Sequence, residues 1–302
     1  TLDLLAMLDL TLAKARLARA TNATTPKVIE GDRQYIRLVD ARHPLLEGQV
    51  VPISVELEED RSLLLITGPN AGGKTVALKT VGLLTLMVQA GLPVPAREAT
   101  FSLYDGVYAD IGDQQSIQQS LSTFSSHMQN LRAIMERATG KSLVLIDELG
   151  TSTDPEEGAA LAKALLLHFH RRGVSLVATT HQRDVSAFVQ EQPGMMNASV
   201  ELEPGTLAPT YRLTLGLPGS SYALAIAARM GLDSQMVEEA RALLAPAHRR
   251  SEDLLKELQQ ERSLAEQLRK EAEQALEEVE RERTDLEEQL ASIQDRASEI
   301  VE

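Results

Sequence analysis

An α/β fold, with a largely parallel sheet flanked by helices and a long helical arm at the C-terminal end, is predicted by three features of this sequence. The stretch LLLITGPNAGGKTVALKTVG at 63–82 runs from an apolar strand through a glycine-rich turn into residues of helical character. The runs SLVLID and VSLVATTH are short and apolar, as strands buried on both faces are, and a segment of helical periodicity separates them. Strands that alternate with helices in this way pair in parallel, because each crossover helix returns the chain to the same end of the sheet. From Ser251 the pattern changes to an apolar seven-residue repeat, with no Gly or Pro after Pro246.

Each element follows in order. Residues 2–20 place Leu5, Leu8, Leu12, Ala15 and Arg19 at helical spacing until TNATTPK breaks the pattern at Pro26. Between 33 and 66, RQYIRLVDARHPLL, VVPISVEL and SLLLIT read as short strands divided by Pro, Gly and acidic turns. A helix from Lys74 to about Gln89, a Pro/Gly-rich loop, a strand around 107–111 and a helix over about 123–139 come next. SLVLID, a helix near 158–171 and VSLVATTH complete the series. In the arm, Leu258, Ala265, Ala272, Val279, Leu286, Ile293 and Ile300 form an unbroken apolar seam. Leu254, Leu268 and Ala275 partner it less regularly, and Glu261 and Glu282 interrupt it. A coiled coil is the expectation and a solvated single helix the alternative. The chain thus divides into a connector helix (1–25), a main domain (26–235), a helical linker (236–250) and a coiled-coil arm (251–302).

Composition narrows the function classes. With no cysteine, a disulfide framework and a thiolate metal site are both excluded, and the six histidines show no metal-ligand spacing. A cytoplasmic location fits, and no apolar stretch approaches the roughly 18 residues of a membrane span, so no membrane partner is expected. The first residue is not Met, which suggests a piece of something longer. The net charge of −14 is unevenly spread: residues 251–302 carry 7 Lys+Arg against 17 Asp+Glu, leaving −4 for residues 1–250. No basic block marks a track for a phosphate backbone, so tight DNA binding by these residues alone is not expected.

The chemistry is concentrated in three places. Gly68-Pro69-Asn70-Ala71-Gly72-Gly73-Lys74-Thr75 has the spacing of a phosphate loop. Its glycines let consecutive N–H groups converge on phosphates, and the helix that follows, from Lys74 through Val76 onward, points its positive end at them. Lys74 is expected to reach the β- and γ-phosphates and the Thr75 hydroxyl to hold Mg²⁺. In LVLIDELG the apolar strand ends in two carboxylates, placing Asp147 beside the metal and Glu148 where it can orient or deprotonate water. His181 ends the next apolar strand, where a histidine is either a simple strand cap or, as in NTPases of this architecture, a sensor of the γ-phosphate, the reading favoured here; His127, His168 and His170 have no comparable context and read as structural. Asp147, Glu148 and His181 together point to the ABC type of P-loop NTPase, with ATP and Mg²⁺ as cofactors.

The motifs TGPNAGGKT, LSTFSSHM, DELGTSTDPEEGAALA and TTHQRDV resemble the four nucleotide-site signatures of the MutS family, in the same order. GDQQSIQQSLSTFSSH and PTYRLTLGLPGSSYALAIAARMGL resemble the second bacterial branch more than the mismatch-repair branch. The resemblance covers about residues 1–250, with the acidic coil matching the family's arm beyond. It implies phosphate and Mg²⁺ contacts at Gly68 to Thr75, metal at Asp147, hydrolysis at Glu148 and γ-phosphate sensing at His181. By the same resemblance Ser122 reaches the nucleotide of a partner subunit and Asp154 lies at the subunit interface. Where the mismatch-repair branch sandwiches adenine between aromatics, the counterparts here are Ile53 and Ser199. The family's core and clamp region and its small nuclease domain have no counterpart in this sequence, which agrees with a piece of a longer protein. The implied function is ATP hydrolysis by a homodimer acting on branched DNA or recombination intermediates, or on ribosomes. Two rivals stand beside it. An SMC-like chromosome-maintenance head splits its two nucleotide motifs around a very long coil, whereas both lie here in one stretch. A nucleotide-dependent binding module without turnover is opposed by the intact Glu148.

Overall fold

The computed structural model describes residues 2–31, 34–58, 60–112, 120–151, 153–203, 206–219 and 222–243 (at 120–123 the backbone alone), and positions scattered between 258 and 286. The chain divides into two units, Thr1–Leu243 and Leu244–Glu302, the break falling inside the stretch read as a linker.

The first unit begins with α1 (Leu2–Thr21), β1 (Lys27–Ile29), β2 (Ile36–Ala41), β3 (Ile53–Leu57) and β4 (Leu63–Thr67). It continues with α2 (Lys74–Gln89), β5 (Glu98–Ser102), β6 (Gly106–Asp110), α3 (Ser120–Arg137), β7 (Ser142–Ile146), α4 (Pro155–Arg171) and β8 (Ser175–Thr179). It ends with α5 (Arg183–Glu191), β9 (Met195–Leu202), β10 (Pro209–Leu215), α6 (Ala223–Arg229) and α7 (Ser234–Leu243). Two sheets result. The larger has the order β10-β9-β4-β8-β7-β6, parallel throughout except for the antiparallel edge strand β10. The smaller has the order β1-β5-β2-β3, with β2 antiparallel to both neighbours.

The central strands β4, β7 and β8 are buried at every position, as their unbroken apolar runs require when helices cover both faces. Alternation along each strand divides the core. Leu64, Ile66, Leu143, Leu145 and Val177 pack with Leu78, Val81 and Leu84 of α2, and this core continues into Ile36, Leu38, Val55 and Phe101 of the smaller sheet. Leu63, Leu65, Val144, Ile146 and Leu176 share the opposite core with Leu131 of α3, Leu166 and Phe169 of α4 and Val185 of α5. Helix α2 therefore lies between the two sheets, and Gly82 lets it approach β7 so closely that a Cβ there would run into the Leu145 side chain.

Helix α1 and the described part of the second unit bury little. Helix α1 forms over the expected residues, but Leu2 is 82% and Leu8 56% exposed, and its Leu17 is the leucine that packs against the core. In the second unit every described position between 258 and 286 is helical and exposed, the seam residues Leu258, Ala265, Ala272, Val279 and Leu286 included. Leu254, Ile293 and Ile300 lie outside the described residues.

Candidate active site

Strand β8 runs between β4 and β7, so the segments that leave these three parallel strands emerge side by side. They are the glycine-rich turn, the Asp147-Glu148 pair and His181, and the carboxyl ends of parallel strands are where open α/β sheets bind ligands.

The turn after β4 is built for close approach. Gly68 (φ +124°) and Gly73 (φ +93°) occupy left-handed backbone, and a Cβ on Gly68 would run into the Val200 carbonyl. Thr67 braces the turn: its hydroxyl donates to the Ala198 carbonyl (3.0 Å) and accepts from the Gly219 N–H (2.7 Å). Helix α2 starts at Lys74 with no side chain capping it, so its first-turn amides are available to an anion. Lys74, only 3% exposed, curls its Nζ into the turn and donates to the carbonyls of Gly68 (2.7 Å) and Pro69 (3.0 Å) and to Asn70 Oδ1 (3.4 Å). Burial pulls its pKa from 10.5 down to about 8, against the opposing pull of Glu148 and Asp147. Thr75 follows on the helix, and Val76 is 41% exposed.

The acids are held by the neighbouring loop. The Asp147 N–H donates to the Asp110 carbonyl (2.9 Å) and the Leu149 N–H to the Thr179 carbonyl (2.8 Å). Between them Glu148 adopts a left-handed backbone (φ +52°), and its N–H donates to the Thr179 hydroxyl (2.8 Å), which in turn donates to Asp147 Oδ1 (2.5 Å). Thr180 Oγ1 donates to the Leu149 carbonyl (2.8 Å) and Gln182 Nε2 to the Gly150 carbonyl (2.6 Å). The segment TTHQ thus stitches the segment ELG in place. His181 joins the two motifs: its Nδ1 stands 3.4 Å from Lys74 Nζ and its Nε2 3.7 Å from Glu148 Oε1. Burial, then the Lys74 charge, lowers the His181 pKa, with Glu148 partly offsetting both.

Ser122 falls in the first turn of α3, and its side chain lies outside the described residues. Further along α3, His127 Nδ1 pairs with Asp110 Oδ2 (2.8 Å) and Asn130 Nδ2 donates to Asp110 Oδ1 (2.8 Å). Asp110 is the residue whose carbonyl holds the Asp147 amide, so this histidine ties α3 to the acidic strand end, a link the sequence reading did not find. Asp110, His127, Asp147 and Glu148 also share a cavity of about 30 Å³, room for one water. At the start of α4, Asp154 is the N-cap, accepting from the N–H groups of Glu156 (3.0 Å) and Glu157 (3.2 Å).

The two residues that the resemblance sets opposite the base are both buried. Ile53 opens β3 with 8% of its surface exposed, inside the core, and Ser199 is fully buried in β9. Neither offers a flat exposed face. The aromatic ring beside the turn belongs to Tyr211, half exposed, on β10. A register shift between Pro209 and Leu213 and a left-handed backbone at Tyr211 (φ +56°) re-aim it, so that a Cβ on Gly73 would stand 3.2 Å from its Cδ1.

Residues 64–247 match the family description MutS domain V. The chain belongs to the MutS family. It is 48% identical over 267 residues to Endonuclease MutS2 of Geobacillus sp. (strain WCH70), an alignment covering 88% of this chain and 34% of that protein. It is 45% identical over 265 residues to Endonuclease MutS2 of Listeria innocua, covering 87% of this chain and 34% of the relative. The Geobacillus kaustophilus protein of the same name is 47% identical over 269 residues, covering 88% and 34%. The chain therefore spans about a third of the length of the curated MutS2 relatives it matches.

The donor set fits the nucleotide and metal that a MutS-family ATPase domain implies. Lys74 spends its ammonium protons on neutral carbonyl oxygens that phosphate oxygens can replace. Oδ1 of Asp147 is engaged by Thr179, and Asp147 Oδ2 and the Thr75 hydroxyl are the oxygens that would hold a cation or its water. Among the described residues no group of three or more His, Cys, Asp or Glu could hold a metal ion. No described helix is long and apolar enough to cross a membrane.

Proposed function

We propose that this chain is a Mg²⁺-dependent ATP-hydrolysing module that works as a homodimer. Each nucleotide site is completed by the signature segment around Ser122 of the other copy. In the full-length protein, nucleotide state drives movement of attached arms acting on DNA, such as branched or recombination intermediates, or on ribosomes. The observation that carries the reading is the contact of His181 with both Lys74 and Glu148, which joins the ends of β4, β7 and β8 into one site. On binding, Lys74 exchanges the carbonyls of Gly68 and Pro69 for phosphate oxygens. Mg²⁺ held by Thr75 and Asp147 would neutralise charge on the β- and γ-phosphates. Glu148 accepts the proton of the attacking water, and the neutral His181 turns toward the γ-phosphate. Tyr211, rather than Ile53, supplies the flat face for the base. The exposed seam of the arm, Leu258 through Leu286, is read as one side of a coiled coil.

The shared site is tested by mixing. Dimers of Ser122→Ala with Lys74→Ala subunits carry both lesions at one composite site and leave the other intact, so the mixture is expected to recover hydrolysis that neither variant shows alone. A mixture as inactive as its components, with mixed dimers demonstrated by mass, contradicts the shared site.

A further inference from the structure

We propose that Thr179 is a positioning residue of the hydrolytic centre, one hydroxyl that sets both the base and the metal ligand. The proposal rests on the reading of Glu148 and Asp147 in those roles. Thr179 ends β8 and is fully buried. A hydroxyl has a single proton to give. Accepting from the Glu148 N–H at 2.8 Å, it points that proton at Asp147 Oδ1, 2.5 Å away. Neither half of this bridge is replaceable by the sheet. Asp147 and Leu149 donate their amides to the carbonyls of Asp110 and Thr179, and the left-handed turn at Glu148 takes the amide between them out of the ladder. That turn carries the Glu148 carboxylate to within 3.7 Å of His181, while Asp147, the first residue past β7, keeps its amide on the Asp110 carbonyl. The Thr179 hydroxyl therefore holds the unusual backbone of the base and reserves one oxygen of Asp147, so the other faces the cation. Partners that orient a metal ligand in this way typically change metal affinity or activity by about 10–100-fold when removed.

The test compares Thr179→Val, which keeps the shape and removes the hydroxyl, with Thr179→Ser, which keeps the hydroxyl. Mn²⁺ is titrated into the ADP complex of the chain and followed by electron paramagnetic resonance, a readout independent of turnover, alongside kcat and KM for ATP. Thr179→Val is expected to bind Mn²⁺ about tenfold more weakly and to lower kcat by about 10–100-fold with KM for ATP little changed, while Thr179→Ser stays within about threefold of the parent on both. Thr179→Ala, which leaves space rather than strain, gives the same Mn²⁺ result should the valine fail to fold. Wild-type Mn²⁺ affinity in the valine or alanine variant, or a serine variant as impaired as they are, overturns the proposal. Asp147→Asn separates the two levels. Mn²⁺ binding lost there but untouched in Thr179→Val removes Thr179 alone, and binding indifferent to Asp147→Asn removes the metal-ligand reading and Thr179's role with it.

Discussion

Lys74 shows how strongly a single buried group conditions this site. Held at about 8 by burial, its amine is protonated below that pH and neutral above it, whereas an exposed lysine stays charged to its ordinary 10.5. Phosphates restore the charged form, so above a pH of about 8 binding must take up a proton. ATP affinity, measured without metal, is expected to be level up to about pH 7.5 and then to weaken toward tenfold per unit. Lys74→Arg, charged throughout, should give a level profile, and a level profile in the parent contradicts the assignment. Tyr211 provides the second residue-scale prediction. Loss of a stacking face costs about 1–3 kcal/mol, so Tyr211→Ala should weaken ATP binding by about 5- to 150-fold and Tyr211→Phe should not. Equal binding by the alanine variant removes the ring from the base site. Tyr211 was not legible in the sequence because its placement depends on a strand irregularity and a positive φ, neither of which has a residue signature there. His127 was read as structural, but its partner was not legible because Asp110 sits 17 residues away on another element. Lys74, Asp147 and Glu148, by contrast, belong to local patterns whose spacing carries the chemistry.

At the scale of elements, the strands that place the site were legible because both their faces are buried. LLLIT, SLVLI and SLVAT can be nothing but interior segments, and each is followed at once by the residues that matter. Strand β5 was not anticipated: EATFS starts with an exposed Glu98, and its pairing partners lie far off in sequence. Helix α4 offers the clearest element-scale test. Its N-cap is Asp154, a residue the family resemblance sets at the subunit interface, and the two roles separate by substitution. Asp154→Asn keeps a capping oxygen and removes the charge, whereas Asp154→Ala removes both. The alanine variant should lose about 1 kcal/mol, a fall in Tm of about 2–4 °C, and the asparagine variant almost none. If asparagine retains stability and still lowers hydrolysis, the charge matters between subunits; if it retains both, Asp154 is a cap.

For the molecule as a whole, the sheet does the joining. Placing β8 between β4 and β7 brings residues separated by more than a hundred positions, Lys74 and His181, within 3.4 Å. This arrangement was legible in outline from the order of motifs. The exposed leucines of α1 and the exposed seam of the arm were legible as helices, yet what they meet is not written in residues whose own core is complete without them. The central claim is that these joined strand ends hydrolyse ATP with Glu148 as the base. The direct measurement is single-turnover hydrolysis and equilibrium ATP binding for Glu148→Gln beside the parent chain. Binding should be retained while the hydrolysis rate falls by about a hundredfold or more, as loss of a general base entails. A variant that binds ATP and hydrolyses it at close to the parent rate contradicts the account.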